Sequence, residues 1–243
     1  MPKTKTRFRY ALEQKLGQAI GDFNLIQDGD RIAIGLSGGK DSVILLWLLA
    51  RLQKKAPVDF HLTAITLDMG WGLDYSALDQ FCRQLQIPLH IEYTNMGHLI
   101  FEERKEKNPC SLCARLRRGA LNNLARQLHC NKIALAHHAD DAVITLLMSM
   151  FYTGRLTTFR PSTYMSRQDL WVIRPLVYIR EAVIEEAVTT LNLPIVKNTC
   201  PASGITKRQE VKEILADLED KIPGVFSRLL GSLQNVEINQ FWI

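Results

Sequence analysis

The stretch "RIAIGLSGGKDS", residues 31–42, predicts the fold of this chain. Its first half is a short apolar run with two isoleucines, which is typical of a buried β-strand. Two adjacent glycines end the run, and a long apolar stretch with the composition of a helix follows at once. This order places Gly38 and Gly39 at the carboxyl end of a strand, where open α/β sheets bind their ligands.

The loop itself has the residues of an anion-binding site. Adjacent glycines permit positive φ angles and allow the backbone to approach an anion closely. The helix that follows directs free N–H groups and the positive end of its dipole at the same point. The hydroxyls of Ser37 and Ser42 can donate hydrogen bonds, and Lys40 can offset charge on departing phosphates. The predicted ligand-binding residues of this loop are Ser37, Gly38, Gly39, Lys40, Asp41 and Ser42.

The spacing of the glycines excludes two common nucleotide-binding loops. A Walker A loop needs four residues between its first glycine and a Gly-Lys pair, and the dinucleotide loop reads GxGxxG. The block Ser-Gly-Gly-x-Asp-Ser instead resembles the PP-loop of the nucleotide alpha hydrolase-like ATP pyrophosphatases. That resemblance implies that the chain binds ATP and cleaves it between the α and β phosphates.

Strand-like and helix-like segments alternate along the rest of the chain. Strands are predicted at 31–36, 60–68, 89–94, 132–138 and 170–176, with helices between them. Such alternation implies a parallel sheet that is covered on both faces. The predicted fold class is a doubly wound, Rossmann-like α/β domain with a five-stranded parallel sheet and helical additions at both ends. The predicted division is a basic segment and helix at 1–30, an ATP-binding domain carrying the cysteine site at 31–200, and a helical extension at 201–243.

Composition restricts the class of protein. The chain has 243 residues, a formal net charge of +5 and no apolar run as long as the roughly 18 residues of a membrane span. The first ten residues lack the apolar centre of a secretory signal, which predicts a cytoplasmic protein. In that compartment most of the five cysteines are expected to be reduced, which favours metal-binding or catalytic roles over disulfides.

Further polar residues follow the second and fourth predicted strands. Asp68 ends the second strand and is expected to approach the ribose, the adenine or an activated base. His137 and His138 are predicted to lie at the nucleotide because they follow the fourth strand. Asp140 and Asp141 come next, and paired carboxylates suit Mg²⁺ held through oxygens and waters.

Three of the five cysteines are predicted to meet at the same edge of the sheet. Cys110 and Cys113 form a CxxC pair at the start of a helix, and Cys200 lies in the loop "KNTCPASG". Three thiolates suit a [4Fe–4S] cluster with one open iron, or a zinc ion whose fourth ligand is histidine or water. A redox disulfide is a third reading of the CxxC pair. Cys82 and Cys130 have apolar neighbours and are predicted to be ordinary buried thiols.

Several segments together resemble the tRNA 2-thiocytidine synthetase family. They are "KLGQAIGDFNLIQDGDRIAIGLSGGKDS", "CSLCARLRRG", "KIALAHHADD", "MFYTGR", "VIRPL" and "VKEILADLEDKIPG", which cover most of the chain. The resemblance implies adenylation of C2 of a tRNA cytidine with ATP and Mg²⁺, followed by replacement of its oxygen with sulfur. It also implies a [4Fe–4S] cluster on Cys110, Cys113 and Cys200. The chain departs from the family pattern at Ala139, where arginine is usual, and after Cys200.

These observations lead to an expected mechanism and expected partners. The predicted catalytic residues are Cys110, Cys113, Cys200, Lys40, Asp68 and Asp141. The predicted RNA-binding residues are Arg115, Arg117 and Arg118, which suit phosphates of a tRNA loop. The expected sulfur source is a donor such as a cysteine desulfurase, and a homodimer is left open. The alternatives are another PP-loop enzyme that modifies RNA, such as a lysidine synthetase, and a non-catalytic metal–cysteine sensor that binds RNA.

Overall fold

The computed structural model describes residues 3–104, 109–196, 200 and 206–240, with the side chains of 3–7 and 238 left out. The chain forms two compact units. The first contains Met1–His138 and Arg160–Ala202, and the second contains Ala139–Phe159 and Ser203–Ile243. The predicted helical extension therefore falls in the second unit, together with a helix that the sequence-based division placed in the central domain.

The described helices and strands alternate through the first unit. Its elements are α1 (Lys3–Asp22), β1 (Asp30–Gly35), α2 (Lys40–Gln53), β2 (Phe60–Asp68), α3 (Ser76–Leu85), β3 (Leu89–Tyr93), α4 (Met96–His98) continuing as a π-helical turn (Leu99–Glu103), α5 (Pro109–Gln127), β4 (Lys132–Ala134), β5 (Ser162–Met165), β6 (Leu170–Ile173) and α7 (Glu181–Leu191). The second unit has α6 (Ala139–Thr153), α8 (Lys207–Lys221), α9 (Val225–Ser232) and a 3₁₀ turn (Ile238–Gln240).

The first unit is built on one sheet, in the order β3-β2-β1-β4-β6-β5. The five predicted strands are all present and pair in parallel. The structure adds a sixth strand, β5, which pairs with β6 in antiparallel fashion at the sheet edge. The sheet is therefore six-stranded and mostly parallel rather than five-stranded. Because β2 and β4 flank β1 on opposite sides, the crevice beyond the carboxyl end of β1 is the switch point where such sheets bind ligands.

Apolar packing covers both faces of this sheet, as the doubly wound prediction requires. On one face, α2 contributes a continuous buried run to a large core that includes Ile32 and Ile34 of β1. On the other face, Ala125 of α5 packs with Ala33 and Ile65. The even burial of β1 explains its unbroken apolar sequence, since a strand covered on both faces has no polar alternation.

The second unit has a core of its own. Ala139, Val143 and Leu147 on one face of α6 pack with buried side chains from α8 and α9, including Val211 and Phe226. Ala139, the position that departs from the family pattern, is fully buried there, so an arginine at this position would require different packing. In the described part of the chain, no helix is both long and apolar enough to cross a membrane.

A buried ion pair stabilises the amino-terminal edge of the sheet. Lys132 Nζ lies 2.7 Å from Asp30 Oδ2 and donates a second hydrogen bond of 2.9 Å to the carbonyl of Leu25. Both charged side chains are buried. The same carboxylate accepts hydrogen bonds from the backbone N–H of Gln27 and from the side chain of Asn131. The pair therefore joins the entry to β1 with the entry to β4.

Replacing this lysine is expected to destabilise the fold. Lys132→Met leaves the Asp30 carboxylate buried without its counter-ion, which costs about 3 kcal/mol, at the lower end for broken buried pairs because two hydrogen bonds to it remain. The control is Lys55→Met, since Lys55 is largely exposed and its pair with Glu13 is expected to contribute less than about 1 kcal/mol. Urea unfolding followed by circular dichroism measures both, and equal losses would contradict the assignment.

Candidate active site

The glycine loop forms a compact cradle at the end of β1. The N–H of Ser37 donates to Ser42 Oγ at 3.2 Å, and the hydroxyl of Ser42 donates to the carbonyl of Gly39 at 2.9 Å. Helix α2 begins directly afterwards, at Lys40. The loop thus presents backbone N–H groups at a helix start, which is the arrangement that binds phosphate.

Gly38 is the residue that the cradle requires to be glycine. Its φ of +82° lies in the left-handed region, and an added Cβ would lie 2.9 Å from Cβ of Val196. Its carbonyl accepts a 3.0 Å hydrogen bond from the N–H of Val196. Val196, four residues before Cys200, therefore packs directly against the loop.

Lys40 forms ion pairs with three carboxylates, and its role in offsetting phosphate charge stays a prediction. Its Nζ lies 2.9 Å from Glu181 Oε1 at the start of α7, 3.6 Å from Asp41 Oδ1 and 3.8 Å from Glu185 Oε1. Burial alone would lower the pKa of Lys40, but the hydrogen bond to Glu181 and the three negative charges outweigh it and raise the pKa. The ammonium group thus stays charged and is shared between the loop and α7.

Removing the charge of Glu181 is expected to strengthen ATP binding. Glu181→Gln deletes a carboxylate beside the loop and releases Lys40, and a pair of this exposure is worth up to about 1 kcal/mol, or roughly fivefold in affinity. Glu185→Gln is the control, because Glu185 is 3.8 Å from Lys40 and more exposed. Calorimetric titration with ATP measures both variants. Weaker binding by Glu181→Gln would show that this carboxylate positions the loop instead.

The histidines after β4 lie in the first unit with the loop. His138 is buried, and its Nε2 lies 3.9 Å from Asp41 Oδ1. His137 is half-buried beside it in the chain. The structure thus brings the imidazole of His138 to the PP-loop, as the spacing of the strands predicted.

The two aspartates of the same motif belong to the second unit. Asp140 and Asp141 lie in the first turn of α6, and Asp140 is buried. Asp141 accepts a hydrogen bond from the guanidinium of Arg208 on α8. That arginine already neutralises the carboxylate, so a cation at Asp141 would compete with it. Magnesium binding by this pair stays a prediction.

Asp68 ends β2 with both carboxylate oxygens in use. The hydroxyl of Tyr75 donates to Oδ1 at 3.0 Å, and the N–H of Gly70 donates to Oδ2 at 3.1 Å. Both side chains are buried. Burial, followed by the hydrogen bond to Asp68, raises the pKa of Tyr75, so its hydroxyl remains a donor. Asp68 therefore holds chain segments together, and its contact with the nucleotide or base stays a prediction.

The CxxC pair occupies the first turn of α5. Cys110 is exposed and Cys113 is half-buried. Burial raises the pKa of Cys113; the charge of Arg117 and its hydrogen bond oppose the rise, whereas the charges of Cys200 and Cys110 add to it. Both other thiols therefore lie within electrostatic reach of Cys113. In the part of the chain that the structure describes, no group of three or more His, Cys, Asp or Glu side chains is arranged to hold a metal ion.

The donor set nevertheless has the chemistry of a cluster site. It consists of three thiols, one of which lies against a guanidinium, and positive charge favours the thiolate that binds iron. The residues that follow Cys200 lie outside the described residues. Cys82 and Cys130 are buried, as predicted, and burial raises the pKa of Cys82 to about 11.

The predicted RNA-binding arginines are all exposed along α5. Arg115 forms none of the hydrogen bonds described above. The charge of Arg117, in contrast, lowers the pKa values of both Cys113 and Tyr75, against the effect of burial. Burial and the charge of Arg118 lower the pKa of Arg174 to about 10. The side chain of Arg174 also donates a 2.6 Å hydrogen bond to the carbonyl of Arg160. Arg118 therefore adds to a concentration of positive charge at the carboxyl end of β6.

Sequence reasoning missed three residues of this site. They are Tyr75, which donates a hydrogen bond to Asp68; Glu181, which forms an ion pair with Lys40; and Arg174, which lies within the electrostatic reach of Arg118. Arg174 had a signal, since it is a charged residue directly after the apolar run of β6, in the motif "VIRPL". Tyr75 and Glu181 carried none, because their partners are brought to them only by packing.

The sheet order and the Ser-Gly-Gly-x-Asp-Ser cradle define the class of protein. The chain matches the family model of the PP-loop domain, ATP_bind_3, over residues 8–216. It is 43% identical over 229 residues to the tRNA-cytidine(32) 2-sulfurtransferase of Pelobacter propionicus, covering 93% of this chain and 85% of that one. The enzyme of the same name from Geobacter sulfurreducens is 40% identical, with 93% and 90% covered. The chain belongs to the tRNA-cytidine(32) 2-sulfurtransferase family.

Solved structures share the fold of this chain. The U34-tRNA thiolase NcsA from Methanococcus maripaludis, solved with its [4Fe-4S] cluster, superposes with a TM-score of 0.77 at 26% identity. The superposition covers 95% of this chain and 79% of the thiolase. An NH3-dependent NAD synthetase from Campylobacter jejuni aligns with a TM-score of 0.51 at 14% identity, so it shares the fold alone.

Proposed function

We propose that this protein is an ATP-dependent tRNA thiolase that replaces the C2 oxygen of a cytidine with sulfur. One observation carries the proposal: the thiol of Cys200 acts on Cys113, while Val196, a few residues earlier, is hydrogen-bonded to Gly38 of the PP-loop. These two contacts support a sulfur site close to the nucleotide loop within one compact unit. The relatives' shared name supports cytidine 32 as the target.

The PP-loop would serve the first step, which activates the base. The C2 carbonyl of a pyrimidine is a poor electrophile with a poor leaving group. Its oxygen attacks the α-phosphorus of ATP, a C2–O–P bond forms, and the bond from that phosphorus to pyrophosphate breaks. The loop N–H groups and the start of α2 stabilise the charge that collects on pyrophosphate, while Mg²⁺ enters with ATP as the ion on its phosphates.

The cysteines would serve the second step, which delivers sulfur. When bound, a [4Fe–4S] cluster held by three thiolates supplies an iron without a protein ligand, where a sulfur species can be held. Cys110, Cys113 and Cys200 are its proposed ligands, and Arg117 favours the thiolate of Cys113. Hydrosulfide attacks C2, the C2–O bond breaks, and the oxygen leaves with AMP. The proton of the hydrosulfide ends on pyrophosphate. This substitution itself consumes no oxidant or reductant.

The arginines of α5 and a donor protein complete the proposal. Arg115 and Arg118 are exposed beside the sulfur site, where they suit phosphates of a folded anticodon loop. Hydrosulfide is proposed to come from the persulfide of a donor such as a cysteine desulfurase, released when a thiol reductant supplies two electrons and is itself oxidised to a disulfide. Because tRNA and such donors are cytoplasmic, we place the protein in the cytoplasm.

Two measurements on anaerobically purified protein test this function. The expected results are stoichiometric iron and labile sulfide, and pyrophosphate release from ATP that requires cytidine-containing tRNA. Lysine-dependent release without iron would favour the ligase alternative instead. Iron without tRNA-dependent pyrophosphate release would indicate a sensor.

A further inference from the structure

Asp68 joins the loops that follow β2 and β3. Its side chain binds Tyr75 and Gly70, as described above. Its backbone carbonyl accepts two hydrogen bonds from Thr94, at 2.7 Å from the hydroxyl and 3.1 Å from the N–H. One residue therefore holds the start of α3, the loop after β2 and the loop after β3 in a fixed relation.

The two loops interlock beyond this point. The carbonyl of Met69 accepts a 2.9 Å hydrogen bond from the N–H of Gly97. An added Cβ on Gly97 would lie 2.4 Å from Nε1 of Trp71, and one on Gly70 would lie 2.8 Å from the carbonyl of Thr94. Loops packed this closely shift together, because neither has space to move alone.

The interlocked loops form the surface against which the CxxC turn packs. Met69, Ile100 and Leu112 form a small buried core, and Trp71, Phe101 and Cys113 pack against it. The Trp71 and Phe101 rings lie 6.3 Å apart between centroids. Arg117 adds an electrostatic connection, since its charge acts on both Tyr75 and Cys113. The position of Cys113 therefore depends on the loops that Asp68 holds.

On the basis of the proposed function, we propose that Tyr75 is a positioning residue for the sulfur site, acting through Asp68 and the two loops. Its hydroxyl occupies Asp68 Oδ1, and without it a buried carboxylate oxygen loses its donor. The carboxylate then turns or gains water, which loosens its hold on Gly70 and on the loop that carries Trp71. Cys113 moves with this surface, whereas the PP-loop keeps its own hydrogen bonds to Val196 and Ser42.

Tyr75→Phe tests this role, because it removes the hydroxyl and keeps the ring. Tyr164→Phe is the matched control, since Tyr164 donates a 2.7 Å hydrogen bond to Asp169 in the β5–β6 hairpin. In iron-loaded protein, Tyr75→Phe is expected to release iron to a chelator roughly fivefold faster, the factor that corresponds to one hydrogen bond, and to alter the electron paramagnetic resonance spectrum of the reduced cluster. ATP affinity is expected to be unchanged.

A second variant and a second measurement test the positioning role independently of Tyr75→Phe and of iron. Thr94→Val removes the other side-chain hydrogen bond to Asp68 and is expected to act in the same direction. In iron-free protein, iodoacetamide followed by peptide mass spectrometry reports the alkylation rate of Cys113, which is expected to rise in both variants.

The outcomes for Tyr75 and for the cluster are distinguishable. Iron release and Cys113 alkylation equal to those of Tyr164→Phe would show that Tyr75 only stabilises the fold. Wild-type protein without iron would refute the cluster, yet the alkylation rate would still decide whether Tyr75 positions Cys113.

Discussion

Cys200→Ala is expected to purify without its iron and to lose tRNA thiolation. Cys200 comes from a segment distant in sequence from the CxxC pair, yet its thiol acts on Cys113. Loss of a residue that only supports a metal ligand typically costs 10–100-fold in affinity or activity, so loss of a ligand is expected to cost roughly 100-fold or more. Anaerobic iron and labile-sulfide analysis measures the first effect, and thionucleoside formation measures the second.

Cys130→Ala is the control for this variant. Cys130 is buried beside Ala125 and Ile133, near the end of α5 that lies away from the CxxC pair, and burial raises its pKa. Its loss leaves a small cavity and is expected to lower stability while iron content and thiolation stay at the wild-type level. Full iron content in Cys200→Ala would refute the three-cysteine assignment.

Gly38→Ala is expected to weaken ATP binding by at least tenfold. The methyl group meets Val196 at 2.9 Å, where something must move, and alanine is strained at a φ of +82°. The left-handed conformation costs about 1–2 kcal/mol for a residue with a Cβ, and overpacking adds about 1–3 kcal/mol. The loop therefore leaves its phosphate-binding shape. Calorimetric titration with ATP measures the loss, and tRNA-dependent pyrophosphate release is expected to fall with it.

A second glycine, Gly29, serves as a control that distinguishes the effect of backbone strain from the effect of the contact with Val196. Gly29 has a φ of +79°, but an added Cβ there has nothing within 4 Å. Gly29→Ala is therefore expected to lose only about 1–2 kcal/mol of stability, from backbone strain, and to bind ATP normally. Equal ATP affinity in the two variants would mean that the loop tolerates a side chain at Gly38 and is not a close phosphate cradle.

The parts of the fold that sequence predicted are those with strong local signals. The buried run of β1, the glycines after it and the apolar α2 specify one another within a short stretch. Strand β5 has no such pattern, because Ser162–Met165 lies at the sheet edge and is specified by pairing with β6. The π-helical turn Leu99–Glu103 has no local pattern that predicts it, since its one fully buried side chain, Ile100, depends on packing.

In the candidate site, too, the local motifs could be predicted from the sequence, whereas their partners could not. Ser37–Ser42 and the CxxC pair are local in sequence, and they lie at the loop and helix start where the pattern placed them. The ion pair of Lys40 with Glu181 joins residues 141 positions apart, and the bond of Asp141 with Arg208 joins residues 67 apart. Charged partners at such separations are chosen by tertiary packing, so the isolated motifs predicted the residues without their partners.

Nucleoside mass spectrometry of tRNA from cells that lack this protein tests its central claim most directly. The account predicts that 2-thiocytidine disappears, that the wild-type gene restores it, and that a gene carrying Cys200→Ala does not. An unchanged thionucleoside profile in those cells, or full restoration by the cysteine variant, would contradict it.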